Sequence, residues 1–110
     1  MPGVVTEITD RDFEQFVKKS PKAVVEFWDP WCSICQEMAP VYEGIAERHS
    51  SEIAFARLNM RENRGKADEY GVYITPTFIF YKLGREIHRI GGLVSPKELE
   101  EAIMERLFSK

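Results

Sequence analysis

Two cysteines, Cys32 and Cys35, stand two residues apart where a nearly unbroken apolar run, Ala23 to Trp28, gives way to apolar residues at helical spacing, Ile34, Met38, Val41 and Ile45. The run has the signature of a strand covered on both faces, as in a parallel sheet packed between helices. The spacing that follows is that of an amphipathic helix. This junction commits the chain to an α/β architecture with the cysteines at the top of a helix. There the first sulfur lies near unpaired backbone N–H groups and the positive end of the helix dipole, both of which favour thiolate over thiol. Thiolate is the species that attacks disulfides, so the placement points to a thiol–disulfide redox site.

Other uses of the pair fit less well. No further cysteine exists to complete a zinc ribbon, and His49 and His88 lack the close spacing of a Cys2His2 finger. One metal reading remains, in which two chains pool their C-x-x-C pairs around zinc or an iron–sulfur cluster. As a structural staple so short a loop contributes little, about 2 kcal/mol in the loop-entropy picture. A chain of 110 residues with 44 % hydrophobic content builds a core without it. Residues 1–110 read as a single domain. The formal charge of −3, with acids and bases interspersed, excludes the electrostatic footprint of nucleic acid or anionic membrane binding. No stretch reads as a signal peptide or membrane span, so the expected location is cytoplasmic.

The remaining elements follow from periodicity and caps. Val4 to Ile8 reads as a strand, and Thr9-Asp10-Arg11-Asp12 supplies capping side chains ahead of a helix that buries Phe13, Phe16 and Val17. Pro40 is expected to kink the helix after the cysteines. Ile53 to Leu58 is a second central strand, and Arg61 to Tyr70 a weakly amphipathic helix stopped by Gly71. Thr77 to Lys82 and Glu86 to Ile90 form a hairpin across Leu83-Gly84-Arg85. Ser95-Pro96-Lys97-Glu98 is a capping box with proline at the first helical position, leading into Leu99, Ala102, Ile103 and Leu107. The order is βαβαβαββα, a mixed central sheet with helices on both faces.

Over essentially its whole length the chain resembles the thioredoxin family. The resemblance is carried by Val25-Glu26-Phe27-Trp28 leading into Trp31-Cys32-x-x-Cys35, by Ala39-Pro40, Ala56-Arg57-Leu58-Asn59, Thr75-Pro76-Thr77, Lys82-Leu83-Gly84 and Gly91-Gly92. It implies a thioredoxin fold and a protein-disulfide reductase, monomeric and without a cofactor, that acts on disulfide-containing proteins and is itself reduced by a thioredoxin-reductase-type donor. A disulfide isomerase or oxidase is the alternative direction. The sequence departs from the family's reducing members at Ser33-Ile34, where Gly-Pro is usual, and at Gln36, where lysine is common. A Ser33 hydroxyl bond to the thiolate favours the reduced form, whereas loss of the lysine charge acts the other way.

Roles follow position by position. Cys32 is expected to attack and Cys35 to resolve the mixed disulfide. Glu26 is an ionisable group inside an apolar strand, where burial raises the pKa. The resemblance places it below the cysteines as proton acceptor for Cys35 and counts Arg57, at a common lysine position, among the catalytic residues; the alternatives are a structural Glu26–Arg57 ion pair or a strand whose Glu26 face reaches solvent. Pro76 is implied to be cis and to face the cysteines, leaving the Thr75 backbone to pair with substrate and its hydroxyl near Cys32. Gly91 and Gly92 suit a close approach of another backbone. With Trp31, Ile34, Met60, Ile74 and Leu93 they are expected to line a shallow apolar patch around Cys32.

Overall fold

The computed structural model describes residues 4–109. Nine elements follow one another: β1 (Val5–Ile8), α1 (Phe13–Lys19), β2 (Lys22–Trp28), α2 (Ser33–His49), β3 (Ala54–Asn59), α3 (Arg64–Glu69), β4 (Thr77–Lys82), β5 (Arg85–Gly91) and α4 (Pro96–Phe108). The five strands form one sheet in the order β1-β3-β2-β4-β5. The β1–β3 and β2–β3 pairs are parallel, and the β2–β4 and β4–β5 pairs antiparallel. This is the mixed sheet expected from the element order.

Alternation along β2 sorts the core into two layers. Val25 and Phe27 join Phe13 and Val17 of α1 and Ala67 of α3 on one face. On the other, Val24 packs with Met38, Tyr42 and Ile45 of α2 and with Leu99, Ile103 and Leu107 of α4. Glu26 shares the pleat of Val24. It therefore lies on the face covered by α2, the helix that begins at the cysteines.

Local signals set most element ends. The α4 capping box forms in full, with the Ser95 hydroxyl accepting from Glu98 N and the Glu98 carboxylate accepting from Ser95 N. Gly71, at φ +63°, ends α3 in the left-handed conformation that favours glycine. Leu83 and Gly84, at φ 51° and 80°, make the two-residue hairpin turn between β4 and β5. α2 continues through Pro40, which has no N–H to return to the Gln36 carbonyl.

The third helix is shorter than periodicity suggested, Arg64–Glu69 in place of 61–70. Its amides explain why. Asp10, expected at the start of α1, reaches across to accept the N–H groups of Gly65 and Lys66 at 2.9 Å each. Residues 60–63 instead wrap around Asn59, whose carbonyl accepts from Asn63 N and Nδ2 and whose side chain accepts from Arg61 N. The Asp12 carboxylate bonds back to Thr9, leaving the α1 N-terminus without a side-chain cap.

Candidate active site

Cys32 is the N-cap of α2. Its backbone is extended, and its sulfur accepts the Cys35 N–H at 3.1 Å. No acidic residue sits in the first turn, so nothing local opposes the helix dipole. Burial pushes the Cys32 pKa up, but hydrogen bonds from the Cys35 and Thr75 side chains and from the Cys35 and Ile34 amides outweigh it, and the net direction is down. Cys35, one turn in, is 1 % exposed. Burial first, and the neighbouring Cys32 second, push its thiol up to about 12. Both cysteines are free thiols. The pair is thus asymmetric, with an accessible sulfur inclined to ionise and a buried one inclined to keep its proton.

Thr75 closes the site from the far side. The Thr75–Pro76 peptide bond is cis, and the Thr75 carbonyl lies 3.5 Å from the Cys32 sulfur, accepting from its S–H. Gly92 N donates to the Pro76 carbonyl at 2.8 Å, and the Thr77 hydroxyl donates to Ile74 at 2.6 Å. A Cβ at Gly91 would meet the Ile74 δ-methyl at 2.8 Å, so the strand end and Ile74 lie close together here. These contacts bring Ile74, Thr75, Pro76, Gly91 and Gly92 to one rim with Cys32. Trp31, Ile74 and Leu93 are exposed there, and Ile34 is half-buried. Tyr73, next to Ile74 in the chain, is also exposed, its ring lying by Gly71. Met60 departs from expectation. It is only 6 % exposed and packs into the core on the α1 side of the sheet, because its N–H bonds the Trp28 carbonyl and ties it to the strand end.

The Trp31 ring is held by a pair of charged residues that sequence reasoning missed. Arg61 stacks its guanidinium over the indole at 3.7 Å from the centroid and pairs with Asp29 through two contacts of 3.2 Å. Asp29 in turn accepts the Trp31 N–H at 2.8 Å, and its backbone carbonyl accepts the Cys32 N–H. No periodicity links residues 29 and 61; only the fold joins them. Arg61→Ala is expected to release the ring, seen as a fall in the heteronuclear NOE of the Trp31 indole N–H, with a stability loss of about 1 kcal/mol or less.

Glu26 is fully buried, and neither carboxylate oxygen has a hydrogen-bond partner among the described residues. Burial dominates its ionisation. Against the attraction of Arg57, and with slight help from Glu7, it raises the pKa from 4.5 to about 7. Arg57 is the register partner of Glu26 on β3 but points its Nε to Glu7, at 3.5 Å. The structural Glu26–Arg57 ion pair weighed from the sequence is therefore not formed. Among the described residues no three His, Cys, Asp or Glu side chains cluster as a metal site.

An α/β sheet that presents one accessible and one buried thiol at a helix N-terminus, opposite a cis-proline, defines a dithiol redox protein, a thiol–disulfide oxidoreductase. The comparisons with known proteins agree. Residues 4–105 match the family model described as Thioredoxin. The chain is 34 % identical over 100 residues to thioredoxin of Alicyclobacillus acidocaldarius, covering 91 % of this chain and 95 % of that one. It is 41 % identical over 93 residues to thioredoxin of Streptomyces clavuligerus, covering 84 % and 86 %. The crystal structure of Malassezia sympodialis thioredoxin (Mala s 13) superposes with a TM-score of 0.86 at 30 % identity, covering 96 % of this chain and 93 % of that one. The chain belongs to the thioredoxin family.

Proposed function

We propose that this oxidoreductase runs in the reducing direction in the cytoplasm, taking electrons from a thioredoxin-reductase-type donor and passing them to disulfides of other proteins. The Cys32 thiolate attacks a substrate sulfur, forming a mixed disulfide and expelling one substrate thiolate. Cys35 then loses its proton and attacks Cys32. The second substrate thiolate leaves, and Cys32 and Cys35 remain joined as a disulfide. Glu26 takes the Cys35 proton, and Trp31, Ile74 and Leu93 seat the substrate segment that pairs with the Thr75 backbone.

The observation that carries the direction is the asymmetry of the pair. The groups that lower the Cys32 pKa are hydrogen-bond donors, not cations, while Cys35 is held as a thiol. With burial opposing its charge and no cation among the groups that lower its pKa, the Cys32 thiolate lacks the strong charge stabilisation that favours the reduced form of strongly oxidising relatives. Equilibration with a glutathione redox buffer tests this. The expected midpoint is more reducing than glutathione, and turnover of a protein disulfide should be sustained by a thioredoxin reductase with NADPH. A midpoint more oxidising than glutathione, with no turnover, assigns the protein to isomerisation or oxidation instead.

A further inference from the structure

Glu26, Arg57 and Glu7 stand in one row across β2, β3 and β1, all on the sheet face covered by α2. Adjacent strands lie about 4.8 Å apart, so the Arg57 side chain on the middle strand has the reach to serve either carboxylate. It leans to the outer one, as an ion pair and not a hydrogen bond, since its buried Nε has no hydrogen-bond partner among the described residues. Its Nε lies 3.5 Å from Glu7, its guanidinium stacks on the Trp28 ring at 4.2 Å, and the Trp28 indole N–H donates to the other Glu7 oxygen at 3.0 Å. Glu7, Arg57 and Trp28 thus close a ring of contacts, while the buried Glu26 carboxylate has no hydrogen-bond partner among the described residues.

We propose that Glu7 is a positioning residue that draws Arg57 over Trp28, away from Glu26, and so leaves the buried carboxyl free to take up and release a proton. The inference rests on the reading of Glu26 as the proton acceptor of Cys35. An arginine paired directly with a carboxylate holds it ionised, lowering its pKa by about 1 to 3. Such a group could not accept a proton from Cys35 near neutral pH. The other groups facing Glu26 do not substitute for this control. Tyr42 of α2 spends its hydroxyl on the carbonyls of Ala56 and Val24, at 2.8 and 3.1 Å, Phe78 of β4 and Leu99 and Ile103 of α4 are apolar, and Glu43 accepts the Val4 N–H.

The test is a double-mutant cycle read by carbon-13 NMR titration of the Glu26 carboxyl in the wild type, Glu7→Gln, Arg57→Gln and the double variant. It is run beside the pH profile of substrate release from the Cys32 mixed disulfide. Glutamine keeps the acceptor for the Trp28 N–H and removes only the charge. Glu7→Gln is expected to lower the Glu26 pKa by about 1, tenfold in the protonation equilibrium. In the Arg57→Gln background the same change should have less than about a third of that effect. An equal shift in both backgrounds, or none in either, overturns the proposal. If the titration moves as expected and the release profile does not, the proton-acceptor reading of Glu26 falls and the role of Glu7 over Arg57 stands.

Discussion

Replacing Cys32 by serine is expected to abolish disulfide exchange, whereas replacing Cys35 by serine should leave a protein that attacks once and stays bound to its substrate. The geometry makes the two thiols unequal. Cys32 is partly exposed and accepts an amide N–H at the head of a 17-residue helix. Cys35 is buried at 1 % exposure and keeps its proton up to a pKa of about 12. Only the first sulfur reaches a substrate disulfide as thiolate, and only the second is placed to resolve the product. Non-reducing mass spectrometry of each variant incubated with an oxidised protein checks this. Mixed disulfides should accumulate with Cys35→Ser and not with Cys32→Ser, and the opposite pattern reverses the two roles.

The second large effect belongs to Glu26. Glu26→Gln is expected to slow release of substrate from the mixed disulfide about tenfold or more near neutral pH, in the range typical of a lost proton acceptor, while initial attack by Cys32 changes little. The same substitution should stabilise the fold at high pH. A carboxyl whose folded pKa is raised favours the native state below its unfolded pKa and costs stability as pH climbs from that value to the folded one. For Glu26 the interval runs from 4.5 to about 7. At about 1.36 kcal/mol for each unit of pKa, the wild type should lose about 3 kcal/mol across it, and Glu26→Gln should not. Urea unfolding at pH 4, 6 and 8.5 measures the difference directly. Parallel pH dependence in the two proteins would mean that burial does not govern this group.

Glu26 also marks how far sequence reasoning reaches. A carboxylate between Val25 and Phe27 in a strand apolar on both faces is visible as a group in the wrong surroundings, and the direction of its pKa follows from burial alone. Whether Arg57 neutralises it is a different question. Residues 26 and 57 become neighbours only through the parallel register of β2 and β3, and residue 7 joins them only because β1 takes the outer edge of the same sheet. The position of Arg57 between two carboxylates is set beside Glu7 and the Trp28 ring, neither of which is linked to it by spacing along the chain.

What the sequence determined by itself is the short-range part of the protein. The cysteine pair at the head of an amphipathic helix, the two-sided burial of residues 23–28, the hairpin turn and the α4 capping box all follow from backbone sterics, hydrogen bonding and periodicity acting over a few residues. The tertiary structure decided whatever depends on register and reach. It supplied Asp10 as the cap of a helix more than fifty residues away and shortened that helix, turned Met60 from the expected rim into the core, and set Arg61 and Asp29 around Trp31. Hydrophobic burial and local hydrogen bonds leave a periodic trace because neighbours in sequence share them. Ion pairs and cap contacts between distant segments leave none, because their energy depends on distances that exist only once the sheet has chosen its strand order.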